Sequence, residues 1–360
     1  MDSAIAPHLR CPRTRTRRIE DDFQPPFPAW SARGSHSQTR AVVGVFGVQS
    51  RGLQRRALAM TVLRRMLSHL REPDGPQHYD LAHELDAEGF DNHVLIAYWT
   101  NPAAFARWQT SEVVRGWWTS DARLGENLGY FREILCPAMT HFETLFSTQG
   151  PMEGAGASMG ELSDMVQEHG YWGSMRDRIP QAQHDALLST GSRTFILHSA
   201  EQGQRVRVAG HSNVAWIRSG QDWSATEGQE RRLYLDEVEP ALCEGMDFLT
   251  QQGASVGCYS NRYMRQMNSE GEVQEKSFGL SFWRSLSDME RWAESHPTHV
   301  SIFGGFMRYV QALNFDLKLR LHHEVAVLAP EDQLYEYINC HPRTGLMTGL
   351  MTGLRVCQAS

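Results

Sequence analysis

Residues 98–111, YWTNPAAFARWQTS, and residues 282–295, FWRSLSDMERWAES, are two copies of one pattern, and this repeat decides the predicted fold. Both copies contain two tryptophans nine positions apart, with an arginine before the second tryptophan and a serine at the end. Each copy follows an apolar run typical of a strand and continues with helical spacing. Because tryptophan is rare, the match indicates that the chain contains an internal duplication.

Two further pairs of runs extend the repeat, one pair before the tryptophan pattern and one after it. The run AVVGVFGVQ (41–49) parallels NVAWIRSGQ (213–221), and a long helical stretch follows each. A strand-like run closes each half, HFETLF (141–146) in the first and LHHEVAVLA (321–329) in the second. The repeated order of strands and helices predicts an α+β fold of two ferredoxin-like halves. We expect the halves to pack face to face as a pseudo-symmetric dimeric α/β barrel around one pocket.

The repeat also predicts the division of the chain. Residues 1–38 form an N-terminal extension, 39–147 the first ferredoxin-like half and 148–205 a linker with an inserted segment. Residues 206–330 form the second half, and residues 331–360 form a C-terminal tail.

Both ends of the chain have unusual composition. The basic run RCPRTRTRR (10–18) is followed by acidic residues, which favours a solvated extension over a nucleic-acid-binding arm. The tandem repeat TGLMTGLMTGL (344–354) is too short to bury a core, so we expect a flexible tail.

Overall composition excludes several classes of partner. The net charge of −7 and pI near 6.1 argue against nucleic acid or an anionic membrane as the main partner. No apolar stretch approaches the roughly 18 residues that span a bilayer, and the first residues lack the pattern of a signal peptide. The six cysteines are scattered and form no CxxC motif. These features predict a cytoplasmic protein.

The two copies diverge directly after their last shared serine, where the second continues as HPTHVSIF (296–303). Pro297 disfavours helical backbone at the residue before it and suits the first turn of a helix. One helix therefore ends near Ser295 and another begins near Pro297. His299 then lies in the first turn of the new helix and points inward, because it shares one stripe with three apolar residues. These are Phe303, Phe306 and Val310.

An inward histidine at a helix start is kept neutral by desolvation and by the helix dipole, and neutral imidazole is the form that binds metals. Three interpretations remain open for His299. It is a buried histidine bonded to a carbonyl, part of an HxxH zinc site that lacks an obvious third ligand, or the single axial ligand of a haem. The pair Gly304–Gly305 in mid-helix is compatible with the close approach of a flat macrocycle.

Six unusual motifs resemble those of the aldoxime dehydratases, and most closely their aliphatic branch. The motifs are ESHPTH, RLHHEV, SGQDW, EHGYWGSMRDR, GCYSNR and LYEYINCHP. The resemblance runs from CPRT near the start to INCHP near the end. It implies a homodimer of two-lobed chains that each bind one non-covalent b-type haem, active as Fe(II). The implied reaction is the dehydration of a small aldoxime, R–CH=N–OH, to a nitrile and water.

The resemblance also implies roles for five residues of this sequence. His299 is the axial ligand of the haem iron. His323 is the distal acid and base, and Ser219 hydrogen-bonds the oxime oxygen. Arg178 and Glu143 support the distal histidine and its proton transfers.

The sequence departs from the pattern at three places, one of which is the stretch ALNFDLKLR (312–320), about three residues longer than the pattern leads us to expect. His322 stands where the resemblance leads us to expect tyrosine, and strand alternation puts it on the opposite face from His323. The register with Glu324 favours His323 as the distal residue, while His322 could titrate nearby and blur a pH profile. The pair Gly304–Gly305 replaces bulkier residues and predicts a changed pocket shape.

Other functions on the same architecture stay open at this point. A haem peroxidase or a chlorite-dismutating enzyme would need distal Arg or Asp chemistry, whereas LHHEV offers histidine. A non-enzymatic haem carrier or gas sensor is a further alternative, although a sensor would normally bring an output domain.

Overall fold

The structure is a computed structural model that describes residues 1–200, 203–349 and 356–358. Its strands are β1 Ala32–Arg33, β2 Val42–Ser50, β3 His78–Leu85, β4 Asp91–Trp99, β5 Gly129–Leu135, β6 Phe142–Phe146, β7 Glu161–Leu162, β8 Thr194–Ala200, β9 Gly203–Ala209, β10 Val214–Asp222, β11 Cys258–Met267, β12 Val273–Trp283, β13 Arg320–Leu328, β14 Gln333–Ile338 and β15 Val356–Gln358. Its α-helices are α1 Leu53–His69, α2 Pro102–Thr110, α3 Glu112–Thr119, α4 Ala122–Gly125, α5 Ser174–Arg178, α6 Gly228–Leu233, α7 Glu239–Gln252, α8 Leu286–Ser295 and α9 Pro297–Ala312. A π-helical turn, Tyr234–Val238, joins α6 to α7.

Thirteen of these strands form one sheet, in the order β15-β8-β9-β14-β5-β2-β4-β3-β11-β12-β10-β13-β6. Neighbouring strands are antiparallel except β8 and β15. Numbered within its own half, the first set runs 4-1-3-2 (β5-β2-β4-β3) and the second runs 2-3-1-4 (β11-β12-β10-β13). The two halves meet where β3 pairs with β11. The fold is thus a mixed α/β fold on a large, mainly antiparallel sheet, as the repeat predicts.

Two expectations about this sheet were wrong. The fourth strand of the first half is β5, not HFETLF (141–146), because β6 pairs with β13 of the second half. A short apolar run predicts that a strand forms, but it does not specify the strand's neighbour. The expected closed barrel is also absent from the described residues, where the sheet is open and ends at β6 and β15.

The main hydrophobic core lies between the inner faces of the two halves. Ile96 and Phe131 from the first half belong to the same buried cluster as Trp216 and Leu280 from the second. The helices cover the outer faces, with α1 to α3 on one half and α7 and α8 on the other. Since both faces of the sheet are covered, β2 is buried along its whole length and its sequence is almost continuously apolar.

The duplicated tryptophan pairs pack in the same way in both halves. The rings of Trp99 and Trp108 lie 4.9 Å apart, and those of Trp283 and Trp292 lie 5.6 Å apart, all four buried. Each pair fixes a helix against the strand that precedes it. The copies then diverge, because the next helix is 8 residues long in the first half (α3) and 16 in the second (α9).

The N-terminal extension is only partly solvated, because residues 4–6 pack against the protein whereas none of residues 10–18 is buried. Ala4, Ile5 and Ala6 are buried. Arg13 forms an ion pair of 2.8 Å with Asp177. The basic run therefore finds acidic partners that are distant in the sequence, which local composition does not reveal.

The predicted C-terminal tail also contains part of the fold. Strand β14 lies between β5 and β9 in the middle of the sheet. Leu346 and Met347, in the first unit of the tandem repeat, are fully buried. Residues 333–347 are therefore not a tail. Residues 350–354, which complete the repeat, lie outside the described residues.

None of the described helices is long and apolar enough to cross a membrane. Five cysteines lie in the part of the chain whose side chains are described, and all five are unpaired. They are Cys11, Cys136, Cys243, Cys258 and Cys340.

The substitution Gly47→Ala tests the packing of β2. A β-carbon at Gly47 would lie 2.0 Å from the ring of Phe131, which is fully buried. We expect the free energy of unfolding, measured by urea titration, to fall by about 1–3 kcal/mol. Gly116→Ala in α3 is the control, because no atom lies near that site, and it should be neutral or stabilising by up to about 1 kcal/mol. Equal stability of both variants would contradict the packing described.

Candidate active site

The pairing of β13 with its two neighbours brings three of the predicted residues to one face of the sheet. In the antiparallel register Ser219 of β10 lies opposite His323, and Glu143 of β6 lies opposite Val325. Directly opposite residues project to the same side, and residues two apart on one strand do so as well. Ser219, His323 and Glu143 therefore share the outer face, which the helices cover.

Arg178, the last residue of α5, completes this group. Its Nε donates to Oε2 of Glu143 at 2.7 Å and its Nη2 to Oε1 at 3.2 Å. Its Nη2 also lies 2.7 Å from Nε2 of His323, which is 3.0 Å from Oε1 of Glu143. Its Nη1 donates to the backbone carbonyl of Glu168 at 2.6 Å. We call Glu143, Arg178 and His323 the distal triad.

The carboxylate of the distal triad is fixed in its ionised form. Glu143 and Arg178 are almost completely buried. Burial alone would raise the pKa of Glu143, but the charge of Arg178, helped by His323, lowers this pKa to about 2. The bidentate contact makes up for the desolvation of the two charges. Glu143 is therefore a stable acceptor rather than an acid.

His323 has a partner for Nε2 in either protonation state. A neutral Nε2 accepts from Arg178, and a protonated Nε2 donates to Glu143. The imidazole is partly exposed, and its Nδ1 has no hydrogen bond among the described residues. The Ser219 hydroxyl on the neighbouring strand has none there either. Nδ1 and this hydroxyl are the groups left free to meet a ligand on this face.

His322 lies on the other face of the sheet, as strand alternation predicts. Its ring stacks on Phe146 with 6.1 Å between centroids, and a β-carbon at Gly220 would lie 2.2 Å from it. Burial, and then the nearby Arg218, lower the pKa of His322 to about 3. The expectation that His322 blurs a pH profile was therefore wrong, because the ring stays neutral above about pH 4.

A buried polar network lies directly behind the Ser219–His323 pair. Arg218 is fully buried and donates to Oδ2 of Asp80 and to the Tyr98 hydroxyl, each at 2.6 Å. The Tyr98 hydroxyl donates to Oε1 of Glu324 at 2.5 Å. Burial raises the pKa of Glu324, although Arg218 opposes the change. The sequence analysis did not identify this network, since its members come from four separate strands.

His299 lies where the sequence predicts, in the first turn of α9. Helix α8 ends at Ser295, and α9 begins at Pro297 with His296 as its N-cap. Nδ1 of His296 accepts from the backbone N–H of Thr298 at 3.4 Å. The ring of His296 also stacks on Phe248, with 4.1 Å between centroids. His296 therefore caps the helix, which leaves His299 as the candidate ligand.

His299 is enclosed by aromatic rings. Its ring lies 4.7 Å from that of Trp292 and 5.7 Å from that of Trp172. Its Nδ1 is buried and has no hydrogen-bond partner among the described residues. Burial lowers the pKa of His299 to about 4, against a smaller opposing effect of the Ala293 backbone. A neutral imidazole is the form that binds a metal.

The surroundings of His299 suit a large, flat, apolar ligand. Phe303 packs against Trp172 with 5.1 Å between ring centroids, yet 39% of Phe303 is exposed. An exposed aromatic side chain of this kind is what an apolar cofactor would cover. The structure thus fits a haem held by His299.

The glycine pair in α9 does not contribute to this surface. The space beside Gly304 is bounded by Arg308, and that beside Gly305 by Arg308 and the backbone oxygen of Glu237. Gly305 therefore faces the π-helical turn and not the rings around His299. The interpretation that the pair admits a flat macrocycle is therefore not supported by the surroundings of Gly305.

One short segment connects the two sides of the site. Residues 168–178 contact His299 through Trp172 and His323 through Arg178. Among the described residues no hydrogen bond joins His299 directly to the distal triad. The sequence analysis missed Trp172 as a neighbour of His299, although it lies in the quoted motif EHGYWGSMRDR. It also missed the hydrogen bond of Arg178 to the Glu168 carbonyl, because no sequence pattern marks a backbone acceptor.

A zinc site at HxxH receives no support. Within the described residues, one group of three potential ligands lies close together, namely Asp86, Glu88 and His341. This group excludes His299. Nε2 of His341 lies 2.9 Å from Oδ2 of Asp86, and Arg343 pairs with Glu88 at 2.5 Å. Its polar atoms are thus already engaged with protein partners.

Comparison with known proteins shows the family to which the chain is similar. Residues 44–346 match the model of a family described as haem-containing dehydratase. The chain is 49% identical to an aliphatic aldoxime dehydratase of Pseudomonas chlororaphis, over 96% of this chain and 98% of that protein. It is 32% identical to a phenylacetaldoxime dehydratase of Bacillus sp. strain OxB-1, over 92% and 94% of the two chains. A crystal structure of an aldoxime dehydratase in complex with butyraldoxime superposes with a TM-score of 0.94 at 46% identity, covering 99% of this chain and 98% of that one.

The depressed pKa of Glu143 predicts how stability depends on pH. The carboxyl titrates near 4.5 when unfolded and near 2 when folded, so its ion pair stabilises the fold above about pH 4.5. That contribution is lost as the pH falls toward 2. Urea unfolding of cofactor-free protein at several pH values should therefore show wild type more stable than Glu143→Gln by roughly 3 kcal/mol at pH 6. The gap should shrink below pH 4.5, and a constant gap down to pH 2.5 would refute the assignment.

Proposed function

Because the chain belongs to the haem-containing dehydratase family, we propose that it is a haem-dependent lyase that dehydrates aldoximes, R–CH=N–OH, to nitriles and water. One observation carries this proposal. Nε2 of His323 is held by Glu143 and Arg178, while its Nδ1 and the Ser219 hydroxyl stay free on the same face of the sheet. This pair is suited to binding an N–OH group and exchanging protons with it.

His299 is the residue that would hold the b-type haem. Its buried, neutral imidazole would ligate the haem iron, and the rings of Trp172 and Phe303 would flank the macrocycle. When bound, ferrous haem would supply an electron-rich iron suited to a nitrogen ligand, and this would weaken the N–O bond of an oxime bound through its nitrogen. The absence of a CxxCH motif supports non-covalent attachment.

The protein residues make the departure of the hydroxyl group possible. Hydroxide is a poor leaving group, so a proton must reach the oxime oxygen as the N–O bond breaks. Ser219 orients that oxygen, and protonated His323 delivers the proton from Nδ1, so that water leaves. Glu143 holds the remaining proton on Nε2 at 3.0 Å and so fixes the tautomer of the neutral ring.

The same histidine then completes the nitrile. Neutral Nδ1 of His323 removes the hydrogen from the oxime carbon, which forms the carbon–nitrogen triple bond and restores the imidazolium. One molecule of water is lost overall, and His323 ends in its starting state. Arg178 lowers the pKa of the Glu143 carboxyl and so keeps this carboxyl ionised throughout.

We further propose that the substrates are aliphatic aldoximes. Aliphatic aldoxime dehydratases are 47–49% identical to this chain, and the phenylacetaldoxime dehydratase is 32% identical. The relative bound to butyraldoxime shares this fold over nearly the whole chain. Butyraldoxime is therefore the first substrate to test.

The finer architecture is also a proposal. The matching strand orders, 4-1-3-2 and 2-3-1-4, support two ferredoxin-like halves that arose by duplication. The family resemblance supports a homodimer, and the scattered cysteines support a cytoplasmic location. The divisions at residues 39–147 and 206–330 remain predictions of the repeat.

Two histidine substitutions separate cofactor binding from catalysis. We expect His299→Ala to abolish stable haem uptake, because it removes the axial ligand. We expect His323→Ala to keep its haem but to convert butyraldoxime at least about 100-fold more slowly, because it removes the proton donor. Soret absorbance reports the haem, and gas chromatography reports butyronitrile.

His322→Gln is the matched control for the distal histidine, since it alters the adjacent residue on the opposite face. It should keep most of its activity. Oxidation of a dye by peroxide, measured on the same preparations, tests for a peroxidase. Dye oxidation without nitrile formation, or a fully active His323→Ala, would overturn the proposal.

The oxidation state of the haem gives a further test. We expect the dithionite-reduced holoenzyme to form nitrile and the air-oxidised enzyme to lose most of that activity, because ferric iron favours an oxygen ligand and cannot lend an electron to the N–O bond. Reduction should restore the activity. Equal rates in both states would contradict the proposed role of ferrous haem.

A further inference from the structure

We infer that the N-terminal segment, residues 1–28, positions Arg178 for the reaction and that Arg13 is the main positioning residue in it. The inference rests on the proposed function of the distal triad. The segment crosses the stretch that carries Arg178 and bonds to it through the backbone. The N–H of Asp2 donates to the carbonyl of Met165 at 2.8 Å, and that of Thr14 to the carbonyl of Gln183 at 3.0 Å.

The first route from this segment to Arg178 passes through Glu168. The Glu168 carbonyl accepts from Nη1 of Arg178 at 2.6 Å and so fixes one end of the guanidinium. The Glu168 carboxylate is buried and held by the N-terminal segment. Ser3 Oγ donates to it at 3.0 Å and the Ala4 N–H at 2.9 Å. The position of that carbonyl thus depends on residues 3 and 4.

The second route passes through Asp177, the residue next to Arg178. Nη1 of Arg13 donates to Oδ1 of Asp177 at 2.8 Å, and the Tyr171 hydroxyl donates to Oδ2 at 2.8 Å. Asp177 is 6% exposed, so its charge is largely desolvated and needs this partner. Loss of Arg13 would leave a buried carboxylate with one neutral donor beside the catalytic arginine.

The helix that carries Arg178 is too short to hold its own geometry. Helix α5 has five residues, begins after Gly173 with left-handed backbone, and has no side-chain N-cap. Isolated helices of this length are unstable in water, so external contacts must fix it. The N-terminal segment supplies some of those contacts, and Arg176 adds an ion pair of 2.7 Å with Glu290 of α8. On the inner side Arg178 reaches Glu143.

A cavity separates much of the N-terminal segment from α5, so polar bonds make up most of the contact between them. A cavity of about 560 Å³ lies between the N-terminal segment and residues 167–183, lined by polar side chains that include Arg17, Asp21 and Gln167. The segment therefore does not press on α5 through a continuous apolar interface. The Arg13–Asp177 pair is therefore one of the polar contacts that hold α5, beside the bonds of Arg176 to Glu290 and to the Ala186 carbonyl, and a single substitution tests its share.

The chain offers a matched control in the same segment. Arg18 forms an ion pair of the same length, 2.8 Å, with Glu294. Both side chains of that pair are largely exposed, and Glu294 lies on α8, away from the distal triad. The stem of Arg18 also packs against Gly173, which directly precedes α5. Methionine keeps an unbranched stem at this position, so Arg18→Met removes the ion pair with Glu294 but leaves that packing in place.

The experiment compares Arg13→Met, Arg13→Lys and Arg18→Met as reduced holoenzymes with butyraldoxime. We expect Arg13→Met to lower kcat about tenfold with KM changed less than twofold, because Arg178 is misplaced while haem and substrate still bind. Arg13→Lys keeps a cation for Asp177 and should restore most of kcat. Arg18→Met should match wild type. The Soret absorbance should be the same in all four proteins.

Hydrogen–deuterium exchange of the cofactor-free proteins gives a readout that does not depend on activity. Arg13→Met should speed exchange of the backbone amides of residues 168–178, and Arg18→Met should not. Ser3→Ala removes the hydroxyl bond to Glu168 and the longer bond of 3.2 Å that this hydroxyl accepts from the Ile5 N–H, and it tests the first route with little risk to folding. It should speed exchange in the same residues.

Two kinds of failure are distinguishable. If wild type forms no nitrile but Arg13→Met still loosens residues 168–178, the proposed function fails and the anchoring stands. If wild type is active while Arg13→Met and Arg18→Met behave alike in kcat and in exchange, the inference is wrong. A loss of kcat that only follows a loss of bound haem would also overturn it.

Discussion

The pairing of β13 with β10 on one side and β6 on the other is the constraint on which the site depends. Only this arrangement sets Ser219 opposite His323 and Glu143 two residues further along on the same face. A shift of one residue in either register would turn the corresponding side chain into the core. Residues from separate parts of the chain take part, since β6 follows the first half and pairs with the second. These residues are far apart in the sequence, and the sheet brings them together rather than a local sequence motif.

Buried charge is concentrated on both faces of this strand pairing. The outer face holds the Glu143–Arg178 pair, and the inner face holds Arg218 with Asp80 and Glu324. Such groups are costly to desolvate, and an apolar core of the same volume would be at least as stable. The burial of the outer pair is explained by chemistry, because the pair keeps a carboxylate ionised beside His323. The inner network fills the space behind the reacting pair with directional bonds, which hold the two strands in one register.

Much of the fold and part of the site could be predicted from the sequence. The tryptophan repeat marks equivalent strand–helix units, and Pro297 marks the boundary that puts His299 in a first turn. Both signals are local, which is why they are reliable. The neighbour of β6, the buried N-terminal residues and the burial of Leu346 depend on contacts between distant parts of the chain, and one sequence carries no record of those. The roles of Glu143 and Arg178 came from the family resemblance, since a lone Glu or Arg has no distinctive pattern.

The contact between Gly220 and His322 has an evolutionary consequence. The imidazole occupies the volume that any side chain at position 220 would need. Because the two positions share one volume, the size of the side chain at one of them limits the side chain that the other can have. A larger residue at 220 is admissible only after 322 has changed its size or direction, so the order in which the two codons mutate matters. Positions 220 and 322 should be epistatic, and their fitness effects should not add, even though neither side chain faces the reactive surface.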